Sequence, residues 1–260
     1  RSHDRGRGKQ AIHVVSAWAT QSGIALAQKK VDAKSNEIGA IPELLSLLRI
    51  KGCLVTIDAM GCQREIAQAI NGAGADYLLA VKDNQPTLRE DVEQEFRLAQ
   101  QNGFALMDHQ YFETVEKDHG RIEQRKYWIT QDVQGIGTGE KWPNLAAMAM
   151  CRAMRTVNGQ TSTEDRFFIT SRKSADAEGI AAAIRAHWRV ENSLHWVLDV
   201  AFNEDQSRVR AGHAAENLAL IRKLALNAIR ASTSKKGGIK AKRLQAAWDN
   251  DYLTEILMAL

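Results

Sequence analysis

The apolar positions of this 260-residue chain fall into short runs and helical stripes that alternate along its first hundred residues. Residues 11–20, AIHVVSAWAT, and 24–32, IALAQKKVD, are two short apolar-rich runs joined by the turn signal Gln21-Ser22-Gly23, and they predict an antiparallel hairpin of buried strands. Ser35-Asn36-Glu37 then precedes Ile41, Leu44, Leu45, Leu47 and Leu48, a stripe at helical spacing that stops at Lys51-Gly52. Cys53-Leu54-Val55-Thr56-Ile57-Asp58 is an apolar run ending in a carboxylate, the pattern of a central strand buried on both faces. A helix over about 63–70, a strand over 77–81 and a polar helix over about 88–100 follow, with Lys82-Asp83-Asn84-Gln85-Pro86 after the strand. Strand, helix and strand with short links make a parallel βαβ unit.

The pattern changes over 104–175. β-type runs at 113–117 and 124–130 flank Asp118-His119-Gly120-Arg121, another covers 166–170, and glycine-rich loops lie near 135–139 and 158–160. Helical periodicity returns from Asp176, through Ala181, Ile184, Trp188, Val190, Leu194, Val197 and Leu198, and again over about 214–231. The prediction is an α/β protein in which residues 1–103 form the first part of a core and 104–175 a β-rich insertion. Residues 176–260 then supply C-terminal helices that complete the core and end in a basic tail.

Composition adds location and charge. The chain has 44% hydrophobic and 25% charged residues and three prolines, which excludes a disordered or collagen-like protein. No apolar stretch approaches a membrane span and the basic start is unlike a signal peptide, so a cytoplasmic protein without a membrane partner is expected. Cys53, Cys62 and Cys151 lack metal-ligand spacing and are expected to be reduced core thiols. The net charge of +4 is unevenly placed: +3 over residues 1–10, +8 over 205–245 and −7 over the remainder. Basic ends on an acidic body suggest a polyanionic partner.

Two sets of residues carry candidate chemistry. His187, Glu191, His195 and Asp199 recur every fourth residue and form one stripe of a helix over 185–199. Read as a zinc site the stripe is poor, because one straight helix cannot wrap an ion with four ligands; the bland reading is the polar face of an amphipathic helix. Asp58 ends a strand where open α/β sheets place ligands, although helix capping is the commoner use of such an Asp. Asp58 and Glu191 together are oxygen donors of the kind that hard divalent ions take. Trp18, Trp188 and Trp196 fall within apolar patterns and are expected in the core.

Four words in order are more specific than any single motif: AIHVVSAW from Ala11, VDAKSNEI from Val31, VTIDAMGCQ from Val55 and HWRVENSLHWVLDV from His187. They closely resemble the insertion-sequence transposases that include the bacterial H-repeat-associated proteins, over nearly the whole chain. The resemblance implies a ribonuclease-H-like mixed sheet flanked by helices and an Asp-Asp-Glu triad holding two Mg2+ ions for DNA cleavage and joining. Of that triad, Asp58 matches the second Asp and Glu191 the Glu, so both are expected to be catalytic and metal-binding. Related glutamate helices carry an Arg four residues before the Glu and a Lys seven after; here those places hold His187 and Leu198, so phosphate contacts are expected from Arg185, Arg189 or His195.

The resemblance also implies a first Asp in an Asp-Gly-Lys segment ahead of the Arg1-Ser2 word. The chain is therefore expected to be N-terminally truncated and impaired in cleavage, with Asp4 in the following loop and a strand edge left open at the hairpin. Element-end and target duplex DNA are the expected partners, contacted also by Arg208, Arg210, Arg222, Lys223 and Arg230, with Lys82, Asn84, Gln85 and the word His119-Gly120-Arg121 as secondary candidates. A second copy of the chain is a candidate partner. The competing functions are a DNA-binding relic without chemistry and, remotely, a zinc hydrolase.

Overall fold

A computed structural model describes residues 13–31, 37–118 and 120–258. The expectations placed on residues 1–12 (Asp4 included), on Asp32, Ser35 and Asn36, and on His119 lie outside the described residues. The chain divides into two compact units, one of residues 49–187 and one of residues 1–48 with 188–260.

The 49–187 unit is built on a six-stranded mixed sheet flanked by helices, the mixed α/β arrangement expected. Strand β3 (Leu54–Ile57), helix α2 (Arg64–Gly72) and strand β4 (Asp76–Val81) form the βαβ unit, with β3 and β4 parallel and Leu54 opposite Asp76. Helix α3 (Pro86–Gln101) begins with proline in its first turn, where no intrahelical donor is needed. Strands β5 (Gln110–Asp118), β6 (Arg121–Thr130), β7 (Ala147–Val157) and β8 (Gln160–Thr170) then run antiparallel, and β8 pairs with β4. The sheet order is β3-β4-β8-β7-β6-β5. The β-rich stretch therefore extends the same sheet as the βαβ unit.

Alternation along the strands divides the core between two faces. Leu78, Phe168, Ala147, Ala149, Cys151, Tyr127 and Ile129 pack with Ala177, Ile180, Ala181 and Ile184 of helix α4 (Ala177–Val190). On the other face Phe167 stacks on Phe96 of α3, with centroids 6.2 Å apart. Two expectations change here. Strand β3 was expected at the centre of the sheet, but among the described residues it pairs only with β4 and is half-buried, because its neighbours on the far side of β4 are the later strands. Strand β7 does not stand out in the sequence, since Ala147-Met148-Ala149-Met150-Cys151 carries weak β preference; its ladders of ten residues to β6 and eleven to β8 impose the extended form.

The other unit holds the expected hairpin, β1 (His13–Ala19) and β2 (Ile24–Val31), with Gly23 in the turn at φ +67° and a bulge at Ala17/Trp18. Helix α1 (Glu37–Ser46) packs on both strands. A short helix α5 (Trp196–Phe202) is followed by α6 (Ala214–Ala231), α7 (Ile239–Trp248) and α8 (Asn250–Met258). Ala25 of β2 joins Leu194, Leu198 and Leu226 in one apolar cluster, and Ala228, Ile229, Ala246, Tyr252 and Ile256 form a second. The strand edge is not wholly open: Asn227 of α6 accepts from the Ala25 N–H at 3.0 Å and donates to the Ala25 carbonyl at 2.9 Å. No helix among the described residues is long and apolar enough to cross a membrane.

Candidate metal-binding carboxylates and nucleic-acid contacts

In the 49–187 unit, Asp58 directly follows β3 and is exposed. Its backbone is extended and its Oδ1 accepts from the Ala59 N–H at 2.7 Å, capping a 3-10 turn over Ala59–Gly61. Asp58 thus does what the bland reading expected, and among the described residues its Oδ2 takes no part in that capping bond or in another hydrogen bond.

The loop that carries Asp58 is tied down from the next strand end. Asn84 Nδ2 donates to the Ala59 carbonyl at 2.7 Å, and Gln85 Nε2 donates to the Cys62 carbonyl at 2.9 Å and to Gln63 Oε1 at 3.2 Å. Asn84 and Gln85, secondary candidates for DNA contact beside their reading as turn residues, here place their side-chain N–H groups on the Asp58 loop. Lys82 beside them is exposed, and its charge helps to hold Glu164 below the usual carboxylate range, after the larger effect of Glu164's hydrogen bond with Arg166. Near the end of β3, Thr56 Oγ1 lies 3.1 Å from His187 Nδ1. Arg185, expected to contact phosphate, is bound to Glu116 of β5 at 2.9 and 3.1 Å, and Glu116 also binds Arg125. Of the cysteines, Cys62 and Cys151 are buried, with burial pushing their thiols up to about 12 and about 11, while Cys53 is exposed rather than a core thiol.

In the other unit, Glu191 opens a π-helical turn over Glu191–His195, in which the Trp196 N–H reaches back to the Glu191 carbonyl. The single straight helix expected over 185–199 is therefore interrupted, and the every-fourth-residue stripe does not continue on one line. Leu194, fully buried, anchors the turn, and Glu191 is exposed with no hydrogen bond or ion pair from its carboxylate to another of the described residues. Arg189 and His195 are exposed on the same helical stretch. Trp188 and Trp196, expected in the core, are 46% and 60% exposed, because the apolar residues that face inward here are Val190, Leu194, Val197 and Leu198; Trp18 does lie against that cluster. Among the described residues no three His, Cys, Asp or Glu side chains gather as a metal-holding group, so the stripe does not form a zinc site there.

The basic segment divides by burial. A cavity of about 160 Å³ is lined by residues that include His195, Glu204, Arg210, Arg222 and Lys223. Lys223, expected at a DNA-facing surface, is only 5% exposed and donates to Gln28 Oε1 at 2.7 Å. Burial lowers its pKa, and Glu204 partly offsets this. Burial raises Glu204, against the attraction of Lys223 and Arg222, and Arg222 sits 3.7 Å from Glu204 Oε1 with little exposure. Asp199 is likewise raised, by burial and then by Asp205. Arg230 turns inward to the Gly23 and Ser193 carbonyls. Arg208 and Arg210 touch backbone carbonyls of their own loop, and Arg208 is exposed.

A sequence signal for the inward pair was present. Ala219, Lys223, Leu226 and Arg230 lie at i, i+4, i+7 and i+11, one face of α6, and Ala219 and Leu226 mark that face as the buried one.

Residues 1–228 match the family described as "Transposase DDE domain", and over that share of the chain the match is decisive: the protein belongs to this family, the one its sequence words indicated. Its relatives include "Putative transposase YncI" of Escherichia coli O157:H7, 45% identical over 98% of this chain and 66% of that protein. "H repeat-associated putative transposase YhhI" of Escherichia coli (strain K12) is 41% identical over 98% of this chain and 68% of that protein. The chain thus spans about two thirds of the length of these relatives. A solved piggyBac transposase synaptic complex with hairpin DNA aligns over 96% of this chain at a TM-score of 0.44 and 10% identity, a likeness too slight to carry an argument.

Proposed function

We propose that the chain acts in DNA transposition as a protein that binds the ends of its element as duplex DNA, and that Asp58 and Glu191 are two of the carboxylates that hold the catalytic divalent ions. The observation that carries this reading is the family match together with the state of the two carboxylates. Both are exposed, neither is in an ion pair with another of the described residues, and Asp58 keeps one oxygen clear of its capping bond. Mg2+ takes hard oxygen donors and binds through one or two carboxylates with its remaining positions left to water and phosphate, so this donor set suits it. The mixed sheet with flanking helices supports the ribonuclease-H-like architecture that the family implies.

Each part of the chain has a task in this reading. Magnesium, when bound, supplies the Lewis acidity that activates the attacking oxygen and stabilises the leaving one. Asp58 presents the oxygen not used in capping from a loop held by Asn84 and Gln85. Glu191 presents its carboxylate from the π turn, and Arg189, Arg208 and His195 are the exposed cationic or protonatable side chains near it in sequence that suit DNA phosphates. Arg185, bonded to Glu116, reaches phosphate only by exchanging that partner, and Lys82 and Arg210 are secondary.

The reading is tested by titrating the protein with a duplex carrying the element's terminal sequence over a range of salt. Affinity that falls steeply with salt, and falls further in Arg189→Ala, supports it; salt-independent binding or none overturns it. Nicking on addition of Mg2+, lost in Glu191→Gln, would show a working centre, whereas binding without nicking would select the DNA-binding relic.

A further inference from the structure

Arg230 makes contacts that a DNA-facing residue has no use for. Its guanidinium donates to the Gly23 carbonyl at 2.8 Å and to the Ser193 carbonyl, and it lies over the Trp18 ring at 4.8 Å. Gly23 is in the hairpin turn, while Ser193 is the third residue of the π turn that begins at Glu191. One planar fork thus joins two segments that share no sequence neighbourhood.

A π turn competes with the regular α-helix, and short π segments persist where something outside the helix stabilises them. Reverting to an i→i+4 ladder would turn Glu191 about the helix axis relative to Leu194 and Leu198, which are fixed in the core. A donor that binds a carbonyl inside the turn opposes that reversion, and a half-buried, charge-assisted bond does so strongly. The hairpin has its own attachment, because Asn227 holds Ala25 through two hydrogen bonds. Losing Arg230 therefore frees the π turn more than it frees the hairpin.

We propose that Arg230 is a positioning residue for Glu191: by bridging the Ser193 and Gly23 carbonyls it holds the π turn in register and fixes the direction in which the Glu191 carboxylate leaves the helix. The consequence for metal rests on the reading of Glu191 as an ion ligand. The clamp itself does not.

Amide hydrogen exchange in the wild type, Arg230→Lys and Arg230→Met separates the two. Exchange at 192–197 is expected to quicken at least ~10-fold in Arg230→Met, less in Arg230→Lys, with a smaller change in β1 and β2. Unchanged exchange at 192–197, or a change confined to the hairpin, overturns the clamp. If Arg230→Met does not fold, Arg230→Lys, which keeps the charge but not the fork, decides the comparison by the same criterion. Apparent Mn2+ affinity is expected to weaken ~10–100-fold in the folded Arg230→Met protein, the usual cost of losing a group that orients a metal ligand. A purely structural role would lower the melting temperature and leave the affinity of the folded protein unchanged. Glu191→Gln is the control: wild-type Mn2+ affinity in that variant would refute the reading of Glu191, and the exchange data would still judge the clamp.

Discussion

Leu194→Ala probes whether the glutamate-bearing π turn is held by the core. Leu194 is fully buried against Leu198, Leu226 and Ala25, with Val190, Val197 and Trp18 partly covering it. The substitution removes three carbons, about 2.4 kcal/mol of transfer free energy at ~0.8 kcal/mol per methylene. A cavity penalty is added, because Ala25 is too small to fill the space, and brings the expected cost to roughly 3–4 kcal/mol, within the usual range for a buried leucine. With a urea slope of ~2–3 kcal/mol/M, the midpoint should fall by about 1–2 M. Trp196→Ala is the matched control two residues along the chain; at 60% exposure it should cost less than ~1 kcal/mol. Equal costs for the two, or a loss below ~1 kcal/mol for Leu194→Ala, would refute the placement of the π turn with Leu194 inward and Trp196 outward.

Other outcomes follow from the same contacts. Asn84→Ala removes the tether on the Ala59 carbonyl and should quicken amide exchange over 58–63 several-fold while leaving β4 protected; no change there would mean the tether does not hold the Asp58 loop. Glu204, raised by burial, binds its proton more tightly when folded, so stability should fall as pH rises from about 4.3 through its elevated folded value, and Glu204→Gln should lessen that fall in melting curves. Lys223, lowered by burial, has the opposite sign: between its lowered folded value and about 10.4 the unfolded chain binds more protons, so stability rises with pH across that window, and Lys223→Met should remove the rise. A thiol reagent at pH 8 should label Cys53 quickly, and Cys62 and Cys151 only on unfolding, as mass spectrometry of the labelled peptides would show.

Much of the fold was legible because local pattern and final structure agree. The hairpin, the βαβ unit and α6 follow from turn residues and periodicity, and α6 spans Ala214–Ala231, the range its pattern implied. What escaped is tertiary. Strand β7 is extended because neighbours on both sides demand it, and the edge position of β3 depends on pairing among strands far along the chain. The π turn has no one-residue signal, since it depends on tertiary contacts: Leu194 lies in the core and the Ser193 carbonyl is bound by Arg230.

The candidate site was legible unevenly for the same reason. Asp58 and Glu191 stood out through their sequence words, and both are exposed. Net charge, by contrast, counts a lysine equally wherever it lies. Lys223 and Arg230 add to the +8 of their segment yet point into the unit, and only the apolar residues sharing their helix face distinguish them from Arg208.

The assignment of Asp58 and Glu191 is tested most directly by counting free Mn2+ with electron paramagnetic resonance as the ion is titrated into the wild type, Asp58→Asn and Glu191→Gln, each shown to be folded. Each substitution removes one hard oxygen charge from the ion, so binding should weaken at least ~10-fold in both variants. Mn2+ affinity equal to the wild type in either variant would contradict the claim that the two carboxylates hold the catalytic ions.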